Sequence, residues 1–141
     1  MLYDYSVSVI AYQKNDNKYG MTCAWFMPAD YDKMLCLLGT QSITGHNIQK
    51  GDIIGMSILS ANQADVANKM GDKHSNEVDK FIGLDYEVKD SAILVNNASR
   101  KMVCKVIDVL HLEGIEADNL IYLNILSNEE NNENFLHYSN V

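Results

Sequence analysis

Six or seven short runs rich in β-branched and aromatic residues, set apart by polar turns and broken by one clear helix, constrain this chain most. Tyr5 to Gln13 (YSVSVIAYQ) reads as a strand, Lys14 to Lys18 as a polar turn and Tyr19 to Met27 as a second strand, which predicts a hairpin. Pro28 to Asp32 is expected to break that pairing, and Met34 to Gly39 predicts a continuously apolar strand covered on both faces. Further strands are predicted at Ile53 to Leu59, Ala92 to Val95, Lys101 to Leu110 and Leu120 to Leu126.

Between these runs the helical signals are few. Ile43 to Gln49 suits one or two short turns, and Lys50-Gly51-Asp52 suits a turn. Ser60 or Asn62 offers a cap for a helix over Asn62 to Met70, with Gly71 as its stop. Asp72 to Lys80 is polar and predicts a loop or a helical turn, and Glu113-Gly114-Ile115 or Asp118-Asn119 a turn. Ser127 to Asn134 (SNEENNEN) reads as a solvated loop, after which Phe135, Leu136 and Tyr138 supply an apolar anchor.

With no β-α-β rhythm, the fold class is mainly β: a small antiparallel barrel of six to seven strands, Greek-key-like, with short helices. A barrel this small is filled by its own side chains, so a ligand must lie outside it, against helices or a second subunit.

Composition narrows the partners. A single domain over residues 1–141 has room for a core, and a formal net charge of -8 repels nucleic acid and anionic membranes. No apolar run reaches membrane-spanning length, and the first residues lack a secretory layout. Cys23, Cys36 and Cys104 are odd in number, widely spaced and set in apolar segments, which favours reduced core thiols in a cytoplasmic protein. His111 and His137 have no partners at metal-ligand spacing, so no metal site is expected.

Two segments carry the chemistry: Gly20-Met21-Thr22-Cys23-Ala24-Trp25-Phe26, and Thr40-Gln41-Ser42-Ile43-Thr44-Gly45-His46-Asn47-Ile48. Each sets small or hydroxyl residues beside glycine, a way to offer N–H and O–H donors to a phosphate and a polar ring edge without charged side chains. With Ser57-Ile58-Leu59, Gln63-Ala64-Asp65-Val66-Ala67, Asp79-Lys80-Phe81 and Cys104-Lys105-Val106, in this order, the chain resembles the flavin reductase-like, FMN-binding split-barrel family. The likeness runs over roughly residues 5 to 126 and rests on order and spacing, since no single piece is specific.

The resemblance implies a split barrel that binds FMN rather than FAD, as a homodimer with the flavin near the interface, and NAD(P)H as co-substrate. It implies that Met21, Thr22, Cys23, Ala24 and Trp25 meet the ring. It adds Gln41 to the cofactor contacts, sets Ser42 and Thr44 at the phosphate with Asn47 assisting, and has Lys80 supply a cation, with His46 and Lys50 competing for that role. It assigns no catalytic residue, because the flavin carries the chemistry.

Plainer readings stand beside each: a strand whose threonine bonds itself and whose tryptophan is packing, a serine that only caps a helix, a solvated lysine, and a surface histidine at His74. Two departures bear on activity. Ala117-Asp118-Asn119 stands where nicotinamide-using members often carry Gly-Asp-His, and Pro28-Ala29-Asp30 replaces a proline-rich loop. A reductase, an FMN-binding electron carrier and a barrel used only for protein contact therefore all remain open. The tail after Ser127 is expected to dock, on its own chain or on a neighbour.

Overall fold

The computed structural model describes residues 2–39, 42–72, 79–115 and 118–141. In chain order they form β1 (Ser8–Lys14), β2 (Asn17–Cys23), β3 (Phe26–Asp30), β4 (Lys33–Gly39), α1 (Ile43–His46), β5 (Ile53–Ile58) and α2 (Ala64–Asp72). There follow β6 (Tyr86–Lys89), β7 (Ala92–Val95), β8 (Arg100–Leu110), β9 (Asp118–Glu130) and a 3₁₀ turn at Tyr138–Asn140. The protein is mainly β, every strand pair is antiparallel, and β2-β1-β5-β8-β9-β4 form a barrel.

The predicted first hairpin closes through a two-residue turn. Asn15 and Asp16 have φ of 52° and 67°, and Lys14 pairs with Asn17. Left-handed turns match strand twist, and Asn and Asp tolerate that conformation. Both faces of β1 are buried, which explains its imperfect alternation. Ile10 and Tyr12 point into the barrel core with Met34, Cys36, Leu38, Ile54 and Leu123. Val9 and Ala11 face an outer core with Ala67 and Met70 of α2, Phe81 and Ile93. At its far end β1 changes partner, from β5 along Ser8–Ala11 to Ala92 of β7 at Tyr12. A Cβ on Gly55 would overlap the Ile93 carbonyl, so glycine lets β7 cross close to β5.

The barrel is open between β2 and β4. Among the described residues β2 ladders only with β1, and Leu37 N–H donates to Trp25 O at 2.9 Å just beyond the end of β2.

Several boundaries differ from expectation. The predicted strand Tyr19 to Met27 is two strands, broken at Ala24-Trp25, and Pro28 lies inside β3 opposite Met34. Because β3 is the edge of the sheet, the missing proline N–H costs no ladder bond. β4 is not covered on both faces: Met34, Cys36 and Leu38 are buried, while Leu35 and Leu37 on the other face are only half-buried. Gly71 does not stop α2, which runs to Asp72; Gly71 instead brings the helix against Thr22. The polar stretch Ser127 to Glu130 extends β9 against Arg100–Val103, held by Lys101 and Lys89 on Glu129. β6 has no counterpart in the sequence reading. Leu136 is buried in the outer core of its own chain, so the tail docks as anticipated.

Candidate functional site

The opening between β2 and β4 is a recess of about 240 Å³ lined by Met21, Thr22, Cys23, Ala24, Trp25, Leu37, Gly39 and Tyr138. It shares Ala24, Trp25, Leu37 and Tyr138 with an apolar groove of about 770 Å³ that continues along Tyr3, Tyr5, Met27, Leu35 and Leu120. Neither lining holds a charged side chain. Size, apolar walls and a few polar groups suit a small planar ligand. Trp25, 56% exposed, stands at the junction as an aromatic surface.

The structure brings five predicted ring contacts together here, from Met21 to Trp25, but gives some of their side chains other work. Thr22 Oγ1 donates to Ala67 O of α2 at 2.6 Å, so what Thr22 offers the recess is backbone and methyl. Cys23 is buried, its Sγ donating to Trp25 O at 3.5 Å, and burial pushes its thiol up to about 12. It is a neutral packing group, not a thiolate.

Ser42 joins this cluster. Its Oγ lies 3.4 Å from Met21 Sδ, donates to Gly39 O at 2.8 Å and accepts from Gly45 N–H at 2.9 Å as the cap of α1. A Cβ on Gly45 would overlap Gly39 O, so this glycine lets α1 sit directly on the end of β4 that lines the recess.

The other predicted contacts lie elsewhere. Thr44 is buried, and its carbonyl accepts from the Tyr12 hydroxyl at 2.6 Å. Asn47 closes α1, Nδ2 donating to Ile43 O at 2.8 Å, while its own carbonyl accepts from Lys14. Lys80 is 4% exposed; its Nζ donates to Met70 O at 2.9 Å and Gly20 O at 3.2 Å. The lysine thereby ties the last turn of α2 to the strand residue before Met21. Gln41, His74 and Ala117 lie outside the described residues.

Two residues without a role in the sequence reading stand out. Tyr138, assigned there only as an anchor, lines both cavities. Asn119, opposite Leu38 and beside Gly39's partner, is 6% exposed with an Oδ1 that has no hydrogen-bond partner among the described residues. Its side chain shares the barrel-core face with Leu38 and Ile121 and is not part of the recess lining. Together the uncharged recess and the strand edge fit a polar-edged, planar ring.

Fold and recess define an antiparallel split-barrel domain with a lateral recess. Over residues 2–140 the chain matches the model of the flavin reductase like domain, and it belongs to that family. Among solved structures it is similar to the NADH:FAD oxidoreductase SgcE6 of Streptomyces globisporus, at a TM-score of 0.87 and 15% identity over 98% of this chain and 83% of that one. A flavin reductase domain protein from Arthrobacter sp. FB24 matches at a TM-score of 0.80 and 15% identity, covering 96% of this chain and 84% of that one. Flavoredoxin from Methanosarcina acetivorans matches at 0.80 and 11%, covering 94% and 72%. A search of curated proteins returned no match. Among the described residues no helix is long and apolar enough to cross a membrane.

Proposed function

We propose that this protein binds FMN in the opening between β2 and β4 and acts as a flavin reductase, using NAD(P)H and passing electrons to free flavin or another acceptor. The observation that carries the reading is the uncharged recess at the β2 edge, built from the residues on which the family resemblance rests. When bound, the flavin supplies hydride acceptance at ring N5. The chain's own residues position and shield. Backbone groups of Met21 to Ala24 meet the ring's polar edge, Trp25 flanks it, and Ser42 at the start of α1 serves the phosphate side. The SgcE6 structure with NAD and FAD fragments is a precedent for both ligand classes on this fold.

A second reading has its own support. Asn119 offers an amide where a nicotinamide-using site would carry an imidazole, and an FMN-binding electron carrier needs no nicotinamide. Incubation with NADH and free FMN separates the two. Rapid NADH oxidation supports the reductase, whereas tight FMN binding without turnover supports the carrier. A protein that binds neither flavin nor nicotinamide overturns both.

The same reading includes a homodimer. Met27, Leu35, Leu37 and Leu120 form a half-open apolar face on β3, β4 and β9 beside the recess, and a second copy covering it would also close the site. Sedimentation as a monomer with flavin bound would overturn this part.

A further inference from the structure

We infer that Tyr138 is a second aromatic contact to the bound flavin ring, and that Asp4 is the residue that positions it. The inference rests on the flavin reading above and adds two residues to it. Every other lining residue of the small recess comes from β2, β4 or the link after β2; Tyr138 alone comes from a distant part of the chain. It also lines the larger groove, so it stands with Trp25 where the two cavities meet.

Its placement is built. Tyr138 N–H donates to Tyr5 O at 2.7 Å, and the two rings meet edge to face at 6.2 Å. Asp4 grips the next residue from both carboxylate oxygens: Oδ1 accepts from Ser139 N–H at 3.0 Å and Oδ2 from Ser139 Oγ at 2.9 Å. The His137 ring lies 3.6 Å from the same carboxylate. An exposed turn held by this many polar contacts is a clasp, and what it holds at the recess is a tyrosine ring. Aromatic side chains are the natural flank for a planar heterocycle, because stacking needs no charge and tolerates an apolar wall.

The test titrates riboflavin phosphate into wild type, Tyr138→Ala, Tyr138→Phe and Asp4→Ala, reading affinity and the fluorescence of the bound flavin. Tyr138→Ala is expected to weaken binding about tenfold. The fluorescence comparison is made with Trp25→Phe in both parent and variant, because Trp25 is the other electron donor at the ring. There Tyr138→Phe keeps most of the affinity but brightens the bound flavin, since phenylalanine cannot donate an electron to the excited ring. Asp4→Ala, at an exposed position, weakens binding to a lesser degree with an unchanged melting temperature. In the Trp25→Phe background, a Tyr138→Phe protein whose bound flavin is as dark as its parent, or an Asp4→Ala protein with wild-type affinity, overturns the inference and leaves the flavin reading intact. A wild type that binds no flavin overturns the reading itself.

Discussion

Two recesses on this molecule are of similar accessibility and opposite character. The one between β2 and β4 is uncharged and aromatic and lies along a strand edge that has no second ladder among the described residues. The other, about 430 Å³ beside α2, is lined by Asn62, Asp65, Lys69, Asp85, Asn96 and Asn97. Several of its polar groups already serve protein partners. Gln63 Nε2 donates to Asn96 O, Asn96 Nδ2 to Asp85 Oδ1, and Lys69 Nζ to Ile82 O. Polarity alone therefore does not make a site. A cleft whose donors and acceptors are largely taken by the protein holds the fold together, whereas a quieter cleft along a strand edge has backbone bonding capacity left over.

The sharpest way to break this contrast is to push α1 off its seat. Gly45→Val places branched carbons where the Gly39 carbonyl oxygen lies, and backbone cannot yield as a flexible side chain would. The expected result is a stability loss of about 1–3 kcal/mol in urea unfolding, together with loss of flavin binding because Gly39 lines the recess. Retained flavin affinity in a destabilised protein would show that the recess is independent of α1.

Next in size is Trp25→Ala. More than half exposed, Trp25 contributes little to the core, so stability should change by less than about 0.5 kcal/mol. Flavin affinity should fall about tenfold or more, read by equilibrium titration. If both quantities moved together, Trp25 would be packing.

These two variants also mark how much the sequence could reveal. The hairpin of β1 and β2 and the barrel class were legible because local patterning specifies them, and the run from Met21 to Trp25 does gather at one recess. Thr44, Asn47 and Lys80 were assigned to the phosphate on residue type and order alone. Residue type does not disclose that Asn47 returns its amide to Ile43 O, or that Lys80 reaches across to Met70 O, since both depend on which carbonyls the fold leaves unmatched. Tyr138 was visible only as an anchor, because its place at the recess is set by long-range bonds of Tyr138 to Tyr5 and of the adjacent Ser139 to Asp4. Asn119 was noticed as a departure from the family pattern, but its unsatisfied oxygen is a property of the packed barrel end.

The control for the comparison is the polar recess. Asp85→Ala removes the acceptor for Asn96 Nδ2 at an exposed contact, so a shift within about 0.5 kcal/mol and unaltered flavin affinity are expected. Flavin binding that weakened by several-fold would mean that the second recess also belongs to the site.

The smallest effect concerns the thiols, and here the expected result is silence over the working pH range. Burial pushes Cys23 and Cys104 up to about 12 from an ordinary 9.0, and holds Cys36 well above it too. With folded pKa values raised, both folded and unfolded forms stay protonated below pH 9, and the thiols contribute no pH dependence there. Above that value the unfolded chain ionises first, so stability falls as pH rises towards about 12. At pH 8 an alkylating reagent should leave the native protein unlabelled and react with all three cysteines once it is denatured. Selective labelling of native Cys23 at that pH would place an ionisable thiol in the recess. The site would then no longer be uncharged, and the contrast with the polar cleft beside α2 would lose its basis.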